Sequence, residues 1–305
     1  MKKHAYLIMA HNNIYILKKL LQLLDNKNND IYLHIDKKST GFDDNELKKL
    51  IKKSNIYFVK RTSVYWGDIS QIECEYHLLK QSVNKQYEYY HFLSGVDLPL
   101  HSQKYIHQFF ETNKGKEFVQ LTTKNIIDNR NAYYRISRYH FFQKYGKSRH
   151  KIRKIFYNIF QKIVMPTQSI LKIDRIKKHN IEIGYGANWV SITHEFVKYI
   201  LEKESWVKSI YKYSLCADEL FIQTILVNSK FKQNVYKEEQ DTFNGDSCMR
   251  YIDWDRGNPY VFRTLDYNKL KSSQMLFARK FDINVDKRIV DSIYAMVKER
   301  EVDGS

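Results

Sequence analysis

The sequence predicts an α/β protein built on a mostly parallel sheet with helices on its faces. Two observations predict it. The apolar run 5–10 is followed by a turn at His11-Asn12-Asn13, then by Ile14, Leu17, Leu20, Leu21 and Leu24 at helical spacing, then by a second apolar run at 31–35. Strand, turn, helix and strand in about 35 residues form a βαβ unit, whose ligands gather at the carboxyl ends of its strands. The second observation is that short apolar runs at 56–59 and 89–94 continue the alternation, with helical patterns at 47–51 and 69–79 between them.

The 305 residues can hold one large α/β domain or two smaller ones. Cys74, Cys216 and Cys248 are odd in number and widely spaced, which argues for reduced thiols and against a zinc knuckle. Three prolines leave no room for a Pro-rich linker. No run reaches the ~20 apolar residues of a membrane span. Met1-Lys2-Lys3-His4 leads into a strand rather than a signal peptide, so a cytoplasmic location is expected. The net charge of +17 favours an anionic partner: nucleic acid, an acidic membrane surface or a phosphorylated substrate.

Taken in order, His11 and Asp36 both fall at the carboxyl end of a strand, and no GxGxxG follows the first one, so a dinucleotide fingerprint is absent. Tyr65-Trp66 before Gly67 can stack a base or sugar, or simply pack in the core. Asp97 follows the fourth strand, and Pro99 stops it. Residues 116–121 read as a strand opening the second half. Over 143–178 the cations Lys144, Lys147, Arg149, Lys151, Arg153, Lys154, Lys162, Lys172, Arg175, Lys177 and Lys178 are opposed only by Asp174. From Ile152 this segment reads as an amphipathic basic helix that could lie on anionic lipid, track a nucleic-acid backbone, or pack with a solvated basic face.

The centre of the chain is 184–228. Gly184, Gly186 and Ala187 lead into the apolar run 189–192, and Thr193 caps a helix carrying Phe196, Tyr199 and Ile200. Asp218 and Glu219 are expected in the first turn of a strongly apolar helix. There they either complement the helix dipole or leave one carboxylate half-desolvated and poised as a base. Residues 235–236 and 249–254 read as strands, Arg263 follows, and Arg279-Lys280 between Phe277 and Phe281 reads as a cationic pair fixed by packing. Residues 289–297 close the chain as a helix, and the last few residues read as frayed.

The stretches YLIMAHNN, HIDKKS, VYWGDISQIECEYHLLK, FLSGVDLPL, GANWVSITHEFVKYIL, CADELFIQTIL, RYIDW and LFARKFD occur in this order from Tyr6 to Asp282. Together they resemble the core-2/I-branching β-1,6-N-acetylglucosaminyltransferases and peptide O-xylosyltransferases. The absence of an anchor and of paired cysteines suggests a bacterial cousin. The resemblance implies a GT-A-like fold with a Rossmann-type sheet, one catalytic domain over 1–290 and a helix and tail at 291–305. Residues 1–122 would form the nucleotide-sugar half and 123–290 the acceptor half, which contains the basic aromatic segment 133–178. It implies an inverting, metal-independent transfer from a UDP-sugar, with no cofactor.

By the same resemblance Glu219 matches the catalytic base, although Cys216-Ala217 replace the proline usual before it. Arg263, Arg279 and Lys280 match the cations that hold the diphosphate. Asp36 matches the reader of uracil, with His11, Tyr65 and Trp66 lining that pocket, and Asp97 falls on the donor-sugar side. Trp189 and Trp254 are expected on the acceptor side, and no metal site is expected; Asp253-Trp254-Asp255 is the only Asp-x-Asp string. The expected acceptor is a glycan or lipid-linked glycan, with peripheral contact between 144–178 and an anionic membrane. Two other classes compete: a basic nucleic-acid-binding protein, which lacks any RRM, KH or zinc-finger string, and a non-catalytic scaffold at a membrane surface. No nucleic-acid partner is expected.

Overall fold

The computed structural model describes residues 2–148, 150–237 and 246–303; Arg149 of the basic run and residues 304–305 of the expected frayed end lie outside them. Its strands are β1 (His4–Ala10), β2 (Asn29–Ile35), β3 (Asn55–Val59), β4 (Tyr89–Ser94), β5 (Leu98–Pro99), β6 (Ser191–Thr193), β7 (Arg250–Ile252) and β8 (Phe277–Arg279). The main sheet runs β3-β2-β1-β4-β6. Its first four strands are parallel and β6 is antiparallel to β4. This is the Rossmann-type, mostly parallel sheet flanked by helices that the sequence predicts.

Adjacent residues of β1 point into different cores. Ala5 and Leu7 join one buried cluster, with Phe196 and Phe221 from the second half. Tyr6 and Ile8 join the other, with Leu17, Leu20, Ile289 and Ile293. Both faces are covered, which is why β1 is a continuous apolar run rather than an alternating one. Leu7 and Ile8 are fully buried, each contributing about 1.5–3 kcal/mol. A short turn from Ile283 breaks at Asp286 (φ −158°, ψ 104°), whose carboxylate accepts from the Arg288 and Ile289 N–H groups; the closing helix follows, runs to Asp303 and packs on the helix Ile14–Leu24. The chain's last element is therefore part of the first half's core.

Two expected strands are not strands. Residues 116–121 make only isolated bridges, Glu117 with Val235 and Phe118 with Ser191. Polar side chains take over the work of a ladder there: the Glu117 carboxylate accepts from the Thr193 N–H (2.9 Å) and hydroxyl (2.5 Å), and Gln120 Oε1 accepts from the Ala187 N–H (3.1 Å). Val235 contributes one bridge and no strand. Pro99 ends a second pairing rather than the first: β5 lies antiparallel to β8, which also pairs with β7. That small sheet carries Arg279 up to the ends of the main strands. Thr193 does cap the helix His194–Glu202, accepting from the Phe196 N–H at 3.3 Å.

Candidate active site

A cleft of about 950 Å³ opens at the carboxyl ends of β1 and β2. One wall carries His11, Asp36, Lys38, Tyr65 and Trp66, and the other Lys144, Tyr145, Lys147, His150 and Arg153. Asp36 is nearly buried, fixed by its own N–H on the Ala10 carbonyl (2.9 Å). Its Oδ1 accepts from the Lys38 N–H at 2.8 Å, and the Lys38 ammonium lies 3.3 Å from Oδ2 and 4.0 Å from the centre of the Tyr65 ring. Trp66 stays 58% exposed, with the Lys147 ammonium 4.4 Å over its ring. A flat aromatic held open beside a carboxylate suits a planar base better than it suits a core.

The cations come from the small sheet. Arg279 Nη1 donates to Asp97 Oδ1 at 2.8 Å, and its guanidinium lies 4.2 Å over the Trp189 ring. Asp97 is 2% exposed and its other oxygen accepts from the Ser94 N–H at 2.8 Å. Burial raises its carboxyl above the usual range, with Arg279 opposing. Asp97 is thus committed to positioning Arg279, not free to meet a sugar as the sequence suggested. Desolvation and then Arg279 hold the Lys280 ammonium below its usual value. His11, which lines the cleft, is lowered by desolvation, then by Arg279, with Asp36 opposing and Lys38 and Lys280 adding, so the charges of the cation pair are felt at the cleft although neither residue lines it. Arg263 stands apart. Its neighbour Phe262 donates to the Lys280 carbonyl at 3.1 Å, but Arg263 itself is exposed and its N–H goes to Asp266 (2.8 Å). The expected trio is a pair here.

The acids do not occupy a helix's first turn. Ala217–Glu219 is a single 3-10 turn entered through Cys216 at φ 48°, and the helix Phe221–Val227 begins only after Leu220 leaves the helical region at φ −126°. Asp218 turns inward, accepting from Gln71 Nε2 (2.8 Å) and Asn188 Nδ2 (3.2 Å). Glu219 turns outward with its side chain 28% exposed, and its Oε2 accepts from Arg135 Nη2 (2.8 Å) and the Tyr185 hydroxyl (3.3 Å). The Glu219 carbonyl accepts from the Gly186 N–H at 3.1 Å. Gly186 must be glycine, since a Cβ there would stand 2.0 Å from the Gln120 carbonyl oxygen. Glu219 and Arg279 make no contact with each other. They are joined by the dipeptide Asn188-Trp189, which touches Asp218 at one residue and Arg279 at the next, and by Gln71, which lines the cleft and donates to Asp218.

With this geometry in place, the comparisons decide the family. The core-2/I-branching enzyme model matches residues 4–275. The chain belongs to that family. Xylosyltransferase 2 of Rattus norvegicus is 22% identical over 94% of this chain and 33% of its own length. An N-acetyllactosaminide β-1,6-N-acetylglucosaminyl-transferase of Mus musculus is 22% identical over 99% of this chain and 74% of its own. The chain spans about a third of the xylosyltransferase it matches. Mouse xyloside xylosyltransferase 1 superposes with a TM-score of 0.37 at 9% identity, covering 91% of this chain and 97% of that one. The mostly parallel sheet with helices on both faces bears out the α/β class.

Trp254 is partly buried against the core cluster that contains Trp189. Asp253 is occupied by Arg256, whose N–H and Nε reach its two oxygens at 3.0 and 2.7 Å. Among the described residues no group of three His, Cys, Asp or Glu could hold a metal, and no helix is long and apolar enough to cross a membrane.

Sequence reasoning missed two residues that surround the acid turn. Arg135 lies in the basic aromatic segment 133–178 but was not singled out there, yet it pins the acid turn, donating also to the carbonyls of Leu215 (3.1 Å) and Cys216. Glu75 is 1% exposed with no hydrogen bond to either carboxyl oxygen. Burial first, and then Asp218, raise its carboxyl well above the usual range. Asp218 is raised in turn, by burial and then by Glu219. A carboxyl raised on folding binds its proton more tightly folded than unfolded, so stability falls as pH climbs from the ordinary carboxylate range through its raised value. Asp218→Asn keeps an acceptor for Gln71 and Asn188 and removes that decline. The variant is expected to unfold at higher urea than wild type above neutrality, and the two should converge in mild acid. A constant gap across pH would show that Asp218 is already charged on both sides.

Proposed function

We propose that this protein is a glycosyltransferase that moves a sugar from a UDP-sugar to a hydroxyl of a glycan acceptor. The reading is an inverting, metal-independent displacement, with N-acetylglucosamine ahead of xylose as donor sugar, in cell-surface polysaccharide synthesis at the cytoplasmic side. What carries it is one arrangement: a cleft lined by His11, Asp36, Tyr65 and Trp66, with Arg279 and Lys280 acting on His11, and Arg279 stacked on Trp189, whose neighbour Asn188 holds Asp218 beside Glu219.

A sugar hydroxyl is too weak an acid to ionise alone at neutral pH, so a carboxylate in reach must take its proton as attack proceeds. Glu219 is the outward acid and has the position for it. As UDP leaves, negative charge grows on the diphosphate, and a guanidinium already fixed by a buried carboxylate meets it without reorganising. Contact of 144–178 with an anionic membrane belongs to the same reading, because a lipid-linked acceptor presents its sugars there. A nucleic-acid track is disfavoured by the position of Lys144, Lys147 and Arg153, which face Asp36, Tyr65 and Trp66 across one cleft.

The test is a panel of UDP-sugars in excess EDTA, read by thermal shift and slow hydrolysis. One UDP-sugar should raise the unfolding temperature, by mass action on the folded state, and be hydrolysed with chelator present. A strict requirement for Mn²⁺ or Mg²⁺ would reject the cation-clamp mechanism, and no response to any UDP-sugar would reject the donor class.

A further inference from the structure

We infer that the outward face of the helix Lys151–Ile170 docks onto an anionic lipid bilayer, lying in its plane with the apolar stripe inserted. This deepens the membrane contact included in the functional reading and is independent of the transfer chemistry.

The helix has two faces of different character. One is tied to the body of the protein. The Tyr157 hydroxyl donates to Gln143 (2.9 Å), Gln161 Nε2 to the Phe141 carbonyl (2.9 Å) and buried Gln168 Nε2 to the Tyr139 carbonyl (3.0 Å). These residues recur along one side, so the helix cannot roll. The opposite side shows Ile152, Ile155, Phe156, Ile159, Ile163 and Ile170 to solvent, from 48% exposed at Phe156 to 83% at Ile152. At helical spacing they fall in one sector roughly 100° wide, the width of a core-facing stripe. Apart from the Phe142 ring, set edge-on 5.7 Å from that of Phe156, no ring from outside the helix reaches it among the described residues, and each of the six stays about half or more exposed. A helix of 20 residues carries that stripe over about 30 Å.

Charge identifies the occupant. Lys151 and Lys162 border the stripe on one side and Arg153, which also lines the cleft, on the other; all three are exposed, and the helix has no acid. Asp174, the only acid of 143–178, is taken by the Tyr133 hydroxyl at 2.6 Å. An apolar stripe edged by cations is the pattern of a helix lying at a lipid interface, its ammonium groups at headgroup level. A second copy of this chain would bring those cations face to face on a protein already at +17. A spanning orientation is excluded for this helix, which is not apolar enough to cross. The same segment walls the donor cleft through Lys144 and Lys147, so docking here holds the cleft close to the headgroups.

Flotation of the full chain with vesicles, without donor or acceptor, tests this. Wild type should float with phosphatidylcholine–phosphatidylglycerol vesicles and at least tenfold less with phosphatidylcholine alone. The double variant Ile159→Asp, Ile163→Asp should lose about tenfold or more of that binding even at low salt, with an unchanged melting curve. A second pair, Ile152→Ser and Ile155→Ser, repeats the test nearer the start of the stripe with milder changes. Failure of wild type to float on anionic vesicles, or flotation of both variant pairs like wild type, overturns the proposal. So does a dimer in vesicle-free solution that the same substitutions dissolve, since that assigns the stripe to a second copy. The UDP-sugar panel reads the functional proposal separately, so loss of one leaves the other standing.

Discussion

Glu219→Gln is expected to reduce sugar transfer by at least 10²–10⁴-fold, the usual contribution of a positioned general base, while UDP binding stays near wild type. The substitution preserves volume, and the amide oxygen can still accept from Arg135 and from the Tyr185 hydroxyl, which now meet the carboxylate at 2.8 and 3.3 Å. The turn should therefore hold its shape, because Arg135 also grips the carbonyls of Leu215 and Cys216. What is lost is the capacity to accept a proton. In the proposed function UDP is held by a different set of groups, those of the cleft and of the Arg279–Asp97 pair. Single-turnover transfer and calorimetric titration with UDP separate the two quantities. Near-normal transfer by Glu219→Gln would remove it as the base and leave no other outward acid on that turn, since Asp218 is buried beneath it.

The reasons why some of this was legible, and some not, are local against distant. The βαβ units could be read because burial on both faces writes continuous apolar runs into β1, β2 and β4, and because the intervening helix repeats its leucines at a fixed spacing. The Thr193 cap needs only its own next three residues. Glu75 had a signal that went unused: it lies three residues after Ile72 and one before Tyr76, on the apolar side of the helix Ser70–Ser82, where an acid must be buried. Residues 116–121 misled because their pairing with β6 and with 234–236 stops after single bridges, and side-chain hydrogen bonds of Glu117 and Gln120 continue the attachment. The acid turn misled because nothing in Ala217-Asp218-Glu219-Leu220 announces that Leu220 will leave helical geometry. Arg279 and Asp97 were each placed near the site, but a pairing across 182 positions has no local signature.

Replacing Arg279 by methionine should weaken the protein in two separable ways. Transfer should fall by about 10²–10³-fold, the loss seen when one fixed stabiliser of developing charge is removed from a dry site. Stability should fall by about 3–5 kcal/mol, because Asp97 is left charged and buried with the Ser94 N–H as its remaining partner. The second loss depends on pH. Asp97 is already raised by burial, with Arg279 opposing, so removing Arg279 raises it further. The folded variant then binds a proton that the unfolded chain releases, and its deficit grows with pH from the carboxylate range up to that raised value. Urea unfolding in mild acid should show a small gap from wild type, and in mild alkali a large one. Adding Asp97→Asn should restore stability at high pH, since no buried charge remains, and should leave transfer as poor as in the single variant. Recovery of transfer along with stability would mean that Arg279 only props the fold, and the diphosphate would then have to be met by Lys280 and the cleft lysines instead.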